Sequence, residues 1–132
     1  MKNKIRILVV DDNKDMLETV NDTLKTLNYE VIGTNDPKEV LGIIENNEIN
    51  ILLSDIKMPE ITGLDLTKMI KKSFPEIIVI LMTGFGDAYT AQDALMAGAD
   101  EYITKPFKKN EIELIVERAS WRFFSIKLRK KL

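Results

Sequence analysis

The 132-residue sequence contains no cysteine and no histidine. Without cysteine there is no disulfide, no thiol nucleophile and no thiolate metal site. Without histidine there is no imidazole base, no histidine-ligated zinc and no phosphohistidine formed within the chain. Long hydrophobic runs are missing too. The longest, Ile77 to Met82, has six residues, far below the ~20 of a membrane helix. The first residues, Met-Lys-Asn-Lys-Ile-Arg, lead straight into a strand-like segment with no signal-peptide pattern, and the cytoplasm is the expected compartment. Any catalysis is left to carboxylates, hydroxyls, lysines and an oxygen-liganded metal.

What is present suits one soluble domain: 45% of residues are hydrophobic and 30% charged. The net charge of −2 conceals an asymmetry. Six basic residues and no acid lie between Arg118 and Leu132, whereas the rest carries 13 basic and 21 acidic residues, a net −8. An acidic body argues against direct nucleic-acid binding and suits a protein that holds a metal or meets a basic partner.

Strand and helix signals alternate five times. Apolar, β-branched segments at Ile5 to Val10, Tyr29 to Thr34, Asn50 to Ser54, Ile77 to Met82 and Glu101 to Thr104 predict strands. Between them, helices are predicted over Asn13 to Leu27, from Asp36-Pro37 to Asn46, over Leu64 to Ser73, and over Ala88 to Ala97 with Gly98 as the stop. From Lys108 onward the pattern is helical again. This alternation predicts an α/β fold with a doubly wound parallel sheet covered on both faces.

In such sheets ligands bind beyond the carboxyl ends of the strands. Asp11 and Asp12 follow the first strand, Asp55 the third, Thr83 the fourth and Lys105 the fifth. Each alone has an ordinary use: an aspartate caps a helix, a threonine fills a turn, a lysine is solvated. Together they put three carboxylates, a hydroxyl and an ammonium at one edge. Three adjacent acids need a counter-charge, and all-oxygen ligands suit Mg²⁺ or Mn²⁺. Lys105 and Thr83 can then meet phosphoryl oxygens, with one carboxylate as nucleophile.

Leu-Val-Val-Asp11-Asp12, Ser-Asp55-Ile-Lys57-Met58-Pro59 with Gly63 after it, Met-Thr83-Gly84 and Tyr102-Ile-Thr-Lys105-Pro106-Phe107 together resemble the receiver domain of two-component response regulators. The resemblance covers residues 4 to about 119. It implies a flavodoxin-like five-stranded sheet of order 2-1-3-4-5, the arrangement that general accounts of the fold illustrate with a chemotaxis receiver. It implies Asp55 as phosphoacceptor, fed by a histidine kinase, a histidine phosphotransfer protein or a small acyl phosphate. Asp12, Asp55 and the Lys57 carbonyl would hold Mg²⁺, with Asp11 acting through water. Lys105 would pair with Asp55 and then with the phosphoryl group, and the Lys105-Pro106 bond would be cis. Thr83 and Tyr102 would form the switch pair. Lys57 and Phe85 occupy the positions that tune phosphoryl lifetime, and neither is a base for water at neutral pH. The stretches around Thr83 and Tyr102 are similar to receivers of enhancer-binding transcription activators.

The resemblance implies a switch rather than an enzyme, apart from its own phosphoryl transfer and slow autodephosphorylation. The alternative is a haloacid-dehalogenase-like aspartyl-phosphate phosphohydrolase. That chemistry wants a second acid two residues after the nucleophile, where this chain has Lys57. The expected division is a receiver over residues 1–119 and a basic helical extension over 120–132. Trp121, Phe124 and Leu128 are expected near one face of that extension. One reading makes it a linker to a C-terminal output domain, another a helix docked on a second protomer or on its own body, and a third a membrane-surface or nucleic-acid arm; the apolar patch predicts packing, foremost against a second protomer in a homodimer.

Overall fold

The computed structural model describes residues 5–84 and 86–131. The elements run β1 (Arg6–Val10), α1 (Lys14–Thr26), β2 (Glu30–Thr34), α2 (Val40–Asn46), β3 (Ile51–Asp55), α3 (Gly63–Ser73), β4 (Ile78–Gly84), α4 (Ala91–Met96), β5 (Glu101–Lys105) and α5 (Lys109–Lys131). A 3-10 turn at Pro37–Glu39 leads into α2. All neighbouring strands pair in parallel, in the order β2-β1-β3-β4-β5. None of the described helices is long and apolar enough to cross a membrane.

The strands are apolar on both faces because helices cover both. Side chains alternate along a strand, so each strand feeds two cores. Ile7, Val9, Leu53, Ile80 and Met82 pack with Val20 and Leu24 of α1 and with Ile112, Val116, Ala119 and Phe123 of α5. Leu8, Val10, Leu52, Val79 and Leu81 pack with α2, α3 and Ala94 of α4. Every one of these residues is at most 7% exposed.

Local chemistry sets the helix ends. Asn13 caps α1 by accepting from the Met16 N–H, and Asp36 accepts from the Lys38 N–H. Thr62 and Asp65 form a reciprocal capping box on α3. The expected start of α4 at Ala88 is corrected to Ala91, because Thr90 and Asp93 make a second capping box. Gly98, at φ +101°, ends α4 as expected.

The tail continues the last helix, and of the expected readings it shows docking on its own body. α5 is one unbroken helix through the expected boundary at residue 119. Phe123 is 7% exposed, and Phe124 and Ile126 pack beside it on the same core. Phe123 lies between grooves lined by Ile5 and Asn50 on one side and by Ile49 and Ile77 on the other. These residues sit at the amino ends of β1, β3 and β4. Lys127 pairs with Glu48 and Lys130 with Glu76. The apolar stripe that faces the body is therefore Ile112, Val116, Ala119, Phe123 and Ile126, spaced by three or four residues. Trp121 and Leu128 point to solvent, at 69% and 62% exposure. The tail docks on its own domain through Phe123, Phe124 and Ile126, and it leaves Trp121 and Leu128 of the expected patch exposed.

Candidate functional site

The carboxyl ends of β1, β3 and β5 bring the acids and the lysine together. One carboxylate oxygen from each of Asp11, Asp12 and Asp55 lies within 4.8 Å of the others. Asp11 is fully buried, Asp55 is 7% exposed and Asp12 faces solvent. Lys105, the last residue of β5, reaches Asp11 Oδ2 at 2.9 Å and Asp55 Oδ2 at 3.4 Å. Its peptide bond to Pro106 is cis. The expected pairing of Lys105 with Asp55 is present, and a second, shorter contact goes to Asp11. The reason is burial. A carboxylate with no solvent needs a charged partner and hydrogen bonds, and Asp11 has Lys105 on one oxygen and the Asn13 N–H on the other at 3.0 Å.

Asp55 is held from its backbone. Its carbonyl accepts from the Ser54 hydroxyl at 2.9 Å, and the following Ile56 N–H donates to Met82 across the sheet. Gly63 presses against this segment. A Cβ there would lie 2.3 Å from the Asp55 carbonyl oxygen and 2.8 Å from Ile56 Cα. Both are backbone atoms that cannot swing aside. Gly63→Ala is expected to cost about 1–3 kcal/mol and to displace Asp55. Denaturant unfolding checks this, and an unchanged midpoint would show that the loop yields freely.

Burial pushes the Asp55 carboxyl up to about 6, opposed by Lys105 and reinforced by the charges of Asp11 and Asp12. For Lys105, burial pulls downward, but the hydrogen bond to Asp11 and the charges of Asp55 and Asp11 outweigh it and leave the ammonium above its usual range. The cluster thus holds three acids against one lysine, a net −2 when all four are ionised.

Lys57 is exposed and lines the same opening as Asp12, Asp55 and Lys105. Thr83 is 2% exposed and sits in register with Thr104, one step before the Gly84–Lys105 pair. Its hydroxyl donates to Asp87 Oδ2 at 3.3 Å. Tyr102 is half-buried on β5 against the core shared by α2, α3 and α4. Phe85 lies outside the described residues. The sequence reading missed two contributors, Asn13 and Asp87. Asn13 was legible as a helix cap directly after the aspartate pair. Asp87 offered only an acid four residues beyond Thr83, which local pattern does not single out.

The donor set fits a hard divalent cation. It offers clustered carboxylate oxygens at one opening, in a chain without histidine or cysteine. A buried carboxylate beside an ammonium, at the mouth of a solvent-reachable opening, can also attack an electrophilic phosphorus.

Known proteins agree with this arrangement. The family model described as the response regulator receiver domain matches residues 7–117. The uncharacterized transcriptional regulatory protein YrkP of Bacillus subtilis is 32% identical over 126 residues, which are 96% of this chain and 53% of that protein. The regulatory protein AtoC of Escherichia coli is 33% identical over 86% of this chain and 25% of its own length. This chain therefore spans about half or less of these relatives. A response regulator receiver domain protein from Clostridium thermocellum superposes with a TM-score of 0.83 at 32% identity, covering 94% of this chain and 98% of that one. With the sheet order, the acid cluster and its lysine already in place, the chain belongs to the response regulator receiver domain family of two-component signal transduction.

Proposed function

We propose that this receiver is switched by phosphorylation of Asp55, with the phosphoryl group supplied by a histidine kinase, a histidine phosphotransfer protein or a small acyl phosphate. The convergence of Asp11, Asp12, Asp55 and Lys105 at the carboxyl edge of the sheet carries this reading. An Asp55 carboxylate oxygen attacks phosphorus. The bond from phosphorus to the donor's imidazole nitrogen or acyl oxygen breaks, and its electron pair leaves with the donor. The Lys105 ammonium offsets charge on the phosphoryl oxygens throughout. Asp12, Asp55 and the Lys57 carbonyl would hold Mg²⁺ or Mn²⁺, with Asp11 acting through water. A metal bound there would supply electrostatic stabilisation of the phosphoryl oxygens.

After transfer, the Thr83 hydroxyl donates to a phosphoryl oxygen and the Tyr102 ring turns inward, which changes the surface offered to partners. The protein's own chemistry is limited to accepting the group and losing it slowly to water. The receiver unit spans residues 1–119, and residues 120–132 form a basic extension that can lead to an output domain. The compartment proposed for it is the cytoplasm. The phosphohydrolase alternative finds no support among the relatives, and Lys57 stands where its second acid belongs.

Titration with Mg²⁺ at millimolar concentration is expected to move the amide resonances of Asp12, Asp55 and Lys57. Acetyl phosphate is expected to add one phosphoryl mass to the chain only when the metal is present. Shifts confined to other parts of the molecule, or equal uptake in excess chelator, would overturn the assignment.

A further inference from the structure

The loop between β4 and α4 carries an acid that the proposed chemistry does not use. Asp87 Oδ2 accepts from the Gly84 N–H at 2.7 Å and from the Thr83 hydroxyl at 3.3 Å. The Asp87 N–H donates back to the Gly84 carbonyl at 3.1 Å. These contacts hold the carboxylate against the end of β4. Asp87 also lines the opening that contains Asp11, Asp12, Asp55 and Lys105.

We propose that Asp87 is a positioning residue: it holds the Thr83 hydroxyl in the resting conformation and so opposes the phosphorylation-driven switch. This rests on Asp55 being the phosphoryl acceptor. A threonine hydroxyl has one proton and donates one full hydrogen bond. That proton is now given to Asp87. A phosphoryl group on Asp55 brings strong acceptor oxygens and a charge of about −1.5 to −2, and it can gain the Thr83 proton only if Asp87 gives it up. The geometry tells which of the two contacts yields. The Gly84 contact is short, at 2.7 Å, while the Thr83 contact, at 3.3 Å, is long and weaker. Switching therefore breaks the Thr83–Asp87 bond and leaves the Gly84–Asp87 bond in place. Asp87 sets how much the phosphoryl group must gain before Thr83 moves.

The test follows phosphoryl uptake from acetyl phosphate with Mg²⁺ by intact mass, at fixed donor concentration, in Asp87→Ala and Asp87→Asn. Each is also made with Thr83→Ala. Amide spectra unchanged outside the β4–α4 loop establish that the variants fold. Asp87→Ala is expected to raise the ratio of phosphorylated to unphosphorylated protein about fivefold, the effect of one ordinary hydrogen bond. With Thr83→Ala the same change is expected to have no effect, since the hydroxyl through which Asp87 acts is gone. Asp87→Asn keeps an acceptor oxygen and loses the charge, so its gain should fall below that of Asp87→Ala. Equal gains with and without the Thr83 hydroxyl would overturn the positioning role and leave only charge repulsion at the opening. Normal uptake on Asp55 with no response to Asp87→Ala would overturn this inference alone. Failure of the wild-type chain to take up phosphate, or equal uptake by Asp55→Asn, would overturn the acceptor reading and this inference with it.

Discussion

Asp55→Asn is expected to abolish phosphoryl uptake and, at the same time, to make the protein more stable. The first effect follows from chemistry: an amide is not a nucleophile toward phosphorus, and no other described carboxylate has the same ammonium contact and exposure. Intact mass after incubation with acetyl phosphate and Mg²⁺ reads it directly. Equal gain in wild type and variant would identify another acceptor.

The second effect follows from linkage. The folded protein holds Asp55 at about 6, above its ordinary value of 3.8. A carboxyl raised on folding contributes stability that is fully present below the unfolded value and is lost as the pH rises through the folded one. At neutral pH the wild type therefore bears the full cost of ionising a buried acid beside two others. Removing that charge is worth about 2–3 kcal/mol, at ~1.4 kcal/mol per pKa unit. Lys105 keeps Asp11 as its partner at 2.9 Å, so no buried ammonium is stranded. Denaturant melts in chelator should show the variant ahead at pH 7–8, with the difference fading between about pH 6 and 4. A variant less stable than wild type at pH 7.5 would show that the Lys105–Asp55 contact outweighs the burial.

The second large effect lies at the other end of the sheet. Ending the chain at Ser120, or changing Phe123 to Ala, is expected to cost about 3–5 kcal/mol, the usual range for removing a buried phenylalanine. Ion pairs alone could not produce this. Lys127–Glu48 spans 3.9 Å between well-exposed side chains, and such pairs contribute about 0–1 kcal/mol. The packing of Phe123 decides the outcome, with Lys127 resting 5.5 Å from its ring centroid. Trp121→Ala is the control and should stay within about 0.5 kcal/mol of wild type. Thermal or denaturant unfolding of the three variants separates the cases. A loss at Trp121 and none at Phe123 would place the contact on the opposite helix face.

The sheet, its helices and the charged edge were legible because they rest on local signals. Apolar strand segments, capping residues and strand-end aspartates can each be read within a few positions. The positions of Asp11, Asp12, Asp55 and Lys105 followed from strand ends alone. Three things were not legible. Lys105 and Asp11 are 94 residues apart, so the added, shorter contact to Asp11 depends on burial that only the folded chain has. The start of α4 moved because Thr90 and Asp93 form a cap where alanine content suggested helix from Ala88. In the tail, Trp121 and Phe123 are both large and aromatic, and composition does not favour either. The phase of α5, fixed upstream by Ile112, Val116 and Ala119, turns Phe123 inward.

That inward phenylalanine gives protein engineering a useful separation. Enzymes and switches commonly trade durability for activity because strain and chemistry share the same atoms. In this chain the raised carboxyl lies at the carboxyl ends of the strands, and the aromatic wedge lies at their amino ends. Grooves beside Phe123 retain open space next to Ile5 and Ile77. Larger apolar side chains placed there can harden the protein against heat, with the full length of the strands between the repair and the proposed acceptor, Asp55.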